Sequence, residues 1–281
     1  MRIAVTGPRG RLGSALVAAG CEPVTVDITQ PAAVEEALSG LDVVINAAAY
    51  TAVDDAEKKE NEDRAVIVNT RGPGVLRTSF DGLLVHISTG YVFDGNAGPY
   101  TEDDVPAPLN FYGLSKLGGE AAALIRQPTL VIRTLDLFGP SGPRADFVRR
   151  TRDLLEMGRD VVAPTNQFLT PTYLPHLAQA IMWIVQQWPL KWHVFKAKAD
   201  GRDILNVAGS ATMSRFDWCR TIADAFGHEP SLIVPNDRPW GEAVRPLRGG
   251  LLTDRAQQIG VPIFSAKEGL VALREADGVG T

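Results

Sequence analysis

The sequence predicts an α/β protein on a doubly wound parallel sheet, and three features carry that expectation. A short apolar run, Ile3-Ala4-Val5, leads into glycines at 7, 10 and 13, with Leu12, Leu16 and Val17 following at helical spacing. Apolar runs then alternate with helical stretches as far as about Phe138. Those runs lack the polar alternation of a half-exposed strand, as expected for strands covered by helices on both faces.

Taken in order, 3–5 is the first strand and the glycine stretch is the loop into the first helix. Pro23-Val24-Thr25-Val26 reads as a second strand ending at Asp27, with a helix over 32–38. A third strand over 41–46 runs into the small turn Ala47-Ala48-Ala49. A long helical region over 54–80 is interrupted by Gly72-Pro73-Gly74, where a kink or break is expected. Strands follow over 83–88 and 129–133, with the helix carrying Tyr112 between them. Beyond Phe138 the alternation fails. A turn-rich stretch over 139–143 precedes a helix over 146–157, a short strand at Val161-Val162, an apolar helix over 175–187, a strand over 204–207 and a helix over 215–226. The span 188–202, with Trp188, Trp192 and Phe195 among lysines, reads as a solvated loop. The expected organisation is a dinucleotide-binding domain over 1–138, with later returns near 165–207. A smaller, partly discontinuous substrate-binding lobe takes 139–164 and 208–281.

Two constellations carry chemistry. In the opening unit, Gly7 permits a tight turn, Gly10 lets the backbone approach a pyrophosphate and Gly13 lets helix pack on strand. The helix N-terminus then favours the anion, and Arg9 and Arg11 stand where either could meet a phosphate. This is the Rossmann arrangement, although the spacing is GxxGxxG rather than GxGxxG. In the second constellation, Tyr112 and Lys116 share one helix face. A phenol of pKa ~10 is a slow acid near neutrality, and a neighbouring ammonium is expected to lower it. Together the two point to a nicotinamide-dependent enzyme acting on a carbonyl or alcohol.

Composition narrows the field. A formal net charge of −5 leaves no footprint for nucleic acid or an anionic membrane. Cys21 and Cys219 form no disulfide framework, and four scattered histidines make no metal pattern. Met1 leads straight into a core strand, and no apolar run is long enough to span a bilayer. A reduced, cytoplasmic protein without a metal is expected.

Thr6-Gly7-x-x-Gly10-x-x-Gly13 with Tyr112-x-x-x-Lys116 resembles the extended short-chain dehydrogenase/reductases, most of which act on nucleotide sugars. The stretches Val44-Ile45-Asn46-Ala47-Ala48-Ala49-Tyr50-Thr51-Ala52-Val53-Asp54, Ile87-Ser88-Thr89-Gly90-Tyr91-Val92-Phe93-Asp94-Gly95 and Pro108-Leu109-Asn110-Phe111-Tyr112-Gly113-x-Ser115-Lys116-Leu117 narrow the likeness to the dTDP-4-dehydrorhamnose reductases. Arg133-Thr134, Pro171-Thr172 and Arg245-Pro246 extend it along nearly the whole chain.

The resemblance implies NADPH- or NADH-dependent reduction of a 4-keto nucleotide sugar, by a monomer or homodimer. It implies Thr89 as the hydroxyl that orients the carbonyl, Tyr112 as proton donor, and Lys116 as its tuner and a ribose contact. Thr51, Val53 and Tyr91 would line the sugar end with Thr89 and Tyr112. Cofactor contacts are expected along Gly7, Arg9, Gly10, Arg11, Leu12 and Gly13, at Asp27 and Ile28, at Ala47, Ala48 and Ala49, and at Lys116. Asp27 at a strand end would favour a free ribose 2′-hydroxyl, and either arginine a 2′-phosphate, so NAD and NADP both stand. The chain departs from the family at Gly90, where an acid usually follows the threonine, and at Leu135-Asp136, where a serine and a tryptophan are usual. It departs again at Phe168-Leu169-Thr170, and in the short spacing around Asp27. The same motifs also resemble the catalytically idle regulatory beta subunit of methionine adenosyltransferase, and the wider superfamily holds nucleotide-sugar epimerases and dehydratases.

Overall fold

The structure, a computed structural model, describes residues 1–140, 146–198, 203–238 and 241–278, with only the helical backbone described over 188–198. Strands β1 (Ile3–Thr6), β2 (Glu22–Val24), β3 (Val43–Asn46), β4 (Leu83–Thr89), β5 (Thr129–Thr134) and β10 (Ile204–Asn206) form one six-stranded sheet. Its order is β10-β5-β4-β3-β1-β2, every pair parallel. All residues of β3, β4 and β5 are buried, which is why these segments are apolar without alternation.

Helices cover both faces. Val5, Ile45, Val85 and Ile132 pack with α1 (Arg11–Ala18) and α7 (Leu174–Lys198). Val44 and Leu84, the alternate residues, pack instead with α2 (Pro31–Ala37), α4 (Gly72–Ser79) and α5 (Phe111–Ala123). The chain leaves β1 for β2 on one side and then crosses to β3 on the other. The β1/β3 boundary is therefore the topological switch point, where ligands bind at strand ends.

A second set of elements surrounds Trp218 and Phe138. It comprises β6 (Leu137–Phe138), α6 (Phe147–Glu156), β7 (Val161–Ala163), β8 (Phe168–Leu169), β9 (Thr172–Tyr173), β11 (Met213–Ser214), α8 (Arg215–Phe226), β12 (Ile233–Pro235) and α10 (Ala266–Ala276). Short α9 (Asp254–Gln258) returns to the main core through Ala256.

Three local expectations are corrected. The second strand stops at Val24 because β2 pairs only with β1, whose last residue Thr6 meets Val24 before Gly7 turns away at φ +70°. Thr25 and Val26 have no strand to pair with. The expected break at Gly72-Pro73-Gly74 lies upstream, as a π turn over Ile67–Arg71 joining α3 (Lys59–Val66) to α4. Pro73 has no N–H for the Asn69 carbonyl, and the chain widens so that the Gly72 N–H reaches Ile67 O. The span 188–198 is not a loop but the continuation of α7. Its Pro189 removes one backbone donor without ending a helix that contains no glycine. Residues 199–202 of that expected loop, and 141–143 of the expected turn, lie outside the described residues.

Candidate active site

The loops after β1, β2 and β3 meet in a cleft of about 520 Å³. Gly7, Arg9, Gly10, Asp27, Ile28, Ala47, Ala48 and Ala49 all line it. The glycines make it possible. Gly7 holds φ +70°, and a Cβ there would lie 2.8 Å from the Ala48 backbone. A Cβ on Gly13 would overlap the Gly7 carbonyl oxygen, so α1 sits directly on the loop. Gly10 has open space on its outer side beyond Gly7 O at 3.2 Å, and its N–H donates to that oxygen at 3.0 Å. This cradle and its emerging helix end fit a dinucleotide pyrophosphate.

Other predicted contacts fall elsewhere. Arg11 turns from the cleft to Asp146 at 2.5 Å and to the Leu137 carbonyl at 3.0 Å. Leu12 is a core residue, and Gly13 serves packing. Asp27 stays at the rim, where Thr29 donates its hydroxyl at 2.7 Å and its N–H at 3.0 Å to one carboxylate oxygen. Those bonds hold the acid below the usual carboxylate range. Arg64 is a lining residue that sequence reading missed; it comes from α3 and stands over the Tyr50 ring at 5.8 Å. Nothing local in the sequence marks it, because the fold alone brings α3 to this rim.

The reactive side chains gather at the end of β4. Asn110 caps α5 by accepting the Gly113 N–H at 2.7 Å, and its amide donates to Val244 O at 2.9 Å. A Cβ on Gly113 would overlap the Tyr91 carbonyl, so the helix start presses on the 3-10 turn Gly90–Val92. That approach sets the Tyr112 ring edge-on to Tyr91, centroids 5.8 Å apart. The Tyr112 hydroxyl bonds to Thr89, whose Oγ1 also accepts the Tyr91 N–H at 3.2 Å.

Lys116, one turn on, is 2% exposed and donates to Ile87 O at 2.6 Å. Behind it runs a buried polar chain, Thr6 to Asn46 at 2.8 Å and Asn46 to His86 at 3.1 Å. Burial, with Lys116 nearby, keeps His86 neutral by pushing it well below its ordinary value.

The electrostatics correct the sequence expectation. The Tyr112 phenol is not lowered by Lys116: burial pushes it up to about 12, with only the Thr89 bond opposing. Burial likewise pushes Lys116 down to about 8 against the pull of Glu120. Desolvation is the largest influence on both groups.

A second, tighter cleft adjoins Tyr91 and includes Asp136, Gln167, Phe168 and Arg215. Tyr91 lies within reach of two ion pairs. Arg245, which also bonds its phenol, meets Asp54 at 2.7 Å, and Arg215 meets Asp136 at 3.4 Å. The Arg245 bond holds Asp54 down to about 2. Thr51 and Val53 sit on the loop after β3 and line neither cleft. Arg215 and Gln167 were not candidates from sequence, since more than forty residues separate them before their 2.7 Å bond forms.

The family model described as the RmlD substrate binding domain matches residues 1–276. The dTDP-4-dehydrorhamnose reductase of Mycolicibacterium smegmatis is 36% identical over 290 residues, covering 96% of this chain and 84% of that protein. Its counterpart of the same name in Mycobacterium tuberculosis is 36% identical over 252 residues, covering 83% and 78%. The crystal structure of a dTDP-4-dehydrorhamnose reductase from Clostridium acetobutylicum has a TM-score of 0.85 at 27% identity, covering 99% of this chain and 100% of that one.

Proposed function

The chain belongs to the RmlD substrate binding domain family, and from that premise we propose that it reduces the 4-keto group of a dTDP-linked 6-deoxy sugar, dTDP-4-dehydrorhamnose to dTDP-L-rhamnose, with NADPH. The observation that carries this reading is the cluster of buried Thr89 and Lys116 with half-buried Tyr112 at the β4 end, beside the glycine cradle. We assign the dinucleotide to residues 1–138 with their returns near 165–207, and the sugar to 139–164 and 208–281.

Gly7, Gly10 and the Ala47–Ala49 turn would hold the pyrophosphate and adjoining ribose, with Asp27, Ile28, Arg9 and Arg64 at the adenosine end. Bound NADPH supplies the hydride for C4. Thr89 donates its hydroxyl to the keto oxygen and fixes its direction. Tyr112 keeps its proton at neutral pH and releases it to that oxygen as the carbon is reduced, because an alkoxide is far more basic than a phenolate of pKa about 12. Lys116 then stands one turn from the phenolate as a compensating charge.

Intact Thr89, Tyr112 and Lys116 weigh against a catalytically idle subunit, and the absence of an acid at Gly90 weighs against a dehydratase. The test is to incubate the protein with NADPH and dTDP-4-dehydrorhamnose and follow both NADPH loss and dTDP-rhamnose formation. Absence of turnover across a panel of dTDP-4-keto-6-deoxy sugars would overturn the reading.

A further inference from the structure

His86 is a buried ring in the middle of the sheet that the reaction above does not use. It lies on β4 with 0% exposure, in register with Asn46 of β3 and Val131 of β5. Its Nδ1 meets Asn46 Nδ2 at 3.1 Å, while Nε2 has no hydrogen-bond partner among the described residues. Nε2 faces α5 at Gly119, where an added Cβ would stand 3.2 Å from it and would overlap the Asn69 carbonyl. At that point α5 closes over the ring with no side chain to accept its proton.

The protonation of the ring follows from its neighbours. The Ala48 N–H can only donate, and it meets Asn46 Oδ1 at 3.2 Å. The Thr6 hydroxyl donates to the same oxygen at 2.8 Å. The Asn46 oxygen is thereby committed to Thr6 and Ala48, its amide nitrogen faces His86, and Nδ1 must accept. The proton of the neutral imidazole then sits on Nε2, where it is unpaired. A buried unpaired donor is costly. Moving that proton to Nδ1 would lessen the cost, but would set N–H against N–H at Asn46. A second proton is opposed by burial and by the Lys116 charge.

The consequence reaches the cofactor cleft. Gly7 and Ala48 both line it, and the Ala48 backbone lies 2.8 Å from where a Gly7 Cβ would stand. Turning the Asn46 amide over would present its nitrogen to the Ala48 N–H and break both bonds to Oδ1. Thr6 at the end of β1 and Ala48 in the turn after β3 would lose their shared tie.

We propose that His86 is a positioning residue for the dinucleotide: its unprotonated Nδ1 holds the Asn46 oxygen toward Ala48 and so fixes the Ala47–Ala49 turn against Gly7. The proposal rests on the reading of that cleft as the dinucleotide site. His86 does not line the cleft and acts through Asn46.

The experiment compares the full wild-type chain with His86→Asn and His86→Leu. Asn carries an oxygen at the branch point where His carries Nδ1 and can accept from Asn46; Leu fills similar space and cannot. Both remove Nε2 and its unpaired proton. Dissociation constants for NADPH and NADH are measured by fluorescence titration, with thermal melting in parallel. Long-range ¹H–¹⁵N NMR reads the wild-type ring, whose signals are those lost in His86→Asn. The ring should show an unprotonated Nδ1 and a protonated Nε2. His86→Leu should bind both cofactors roughly tenfold more weakly, the worth of one buried hydrogen bond. His86→Asn should restore most of that loss. Lower melting temperatures with cofactor affinity unchanged would reduce His86 to sheet packing and overturn the proposal, as would equal losses of affinity in the two variants. A wild-type ring protonated on Nδ1, or on both nitrogens, would overturn it whether or not His86→Leu folds. A wild-type chain that binds neither cofactor would remove the dinucleotide reading of the cleft and this proposal with it.

Discussion

Lys116 Nζ donates to the carbonyl oxygen of Ile87 at 2.6 Å, so the cation of the tyrosine–lysine pair is anchored to the strand beneath it. Its depressed value near 8 has a consequence for stability. In the unfolded chain the lysine keeps its proton up to about 10.5, and in the fold only up to about 8. Between those limits the unfolded chain binds more protons, so stability rises with pH there, and below about 8 the fold bears the full cost of a buried ammonium. Lys116→Met should therefore raise stability at pH 7 by roughly 1–3 kcal/mol. That gain should shrink toward zero by pH 10. Denaturant melts at the two pH values check this, and an equal difference at both would contradict it.

The same geometry sets the reaction's response to acid chemistry. Tyr112→Phe keeps the ring contact with Tyr91 and removes the transferable proton. Turnover should fall by roughly 10²–10⁴ with NADPH affinity nearly unchanged. Thr89→Val should lose less, since the phenol proton remains. Steady-state rates with fluorescence titration of NADPH separate these outcomes, and a full-rate Tyr112→Phe enzyme would refute the assigned acid.

The sheet was readable from the sequence because central parallel strands such as 83–88 and 129–133, buried on both faces, are mainly apolar, with His86 and Arg133 tied into buried polar contacts. The 215–226 helix was read with the bounds it has in the fold, where Ser214 caps it and Gly227, at φ +71°, ends it. The glycine cradle and the Tyr112–Lys116 face were legible for a similar reason, each being local in sequence. Arg64, Arg215 and the Arg245–Asp54 pair were not, because each acquires its role through contacts between distant segments. Arg11 misled by position alone. Its place in the loop motif suggested a phosphate, whereas the buried Asp146, N-cap of α6, gives it a stronger partner.

That reassignment yields a cofactor prediction. Arg9 and Arg64 line the cleft with Asp27, at the end assigned above to the adenosine. Replacing both by alanine should weaken NADPH roughly tenfold or more while changing NADH little, because only NADPH carries the 2′-phosphate. Arg11→Ala should leave the NADPH-to-NADH ratio unchanged and instead lower stability by roughly 1–3 kcal/mol, because the nearly buried Asp146 keeps its backbone donors but loses its counter-charge. Dissociation constants for both cofactors in the two variants decide between them.

Glu120 links the buried scaffold to the reactive lysine. Its carboxylate takes Arg133 Nη2 at 2.7 Å and Nε at 2.9 Å, both side chains being almost wholly buried. Glu120→Gln leaves that guanidinium without its counter-charge and should cost roughly 3–5 kcal/mol. Glu120 is also the charge that opposes the fall of Lys116, so its removal should push the lysine further below about 8. If the Lys116 ammonium is needed in turnover, the wild-type rate should decline above about pH 8, and in Glu120→Gln the decline should begin at lower pH. Lys116→Met should show no such limb at all. A pH–rate profile of the three proteins distinguishes this coupling from simple loss of fold, which would scale the whole profile down without moving its alkaline edge.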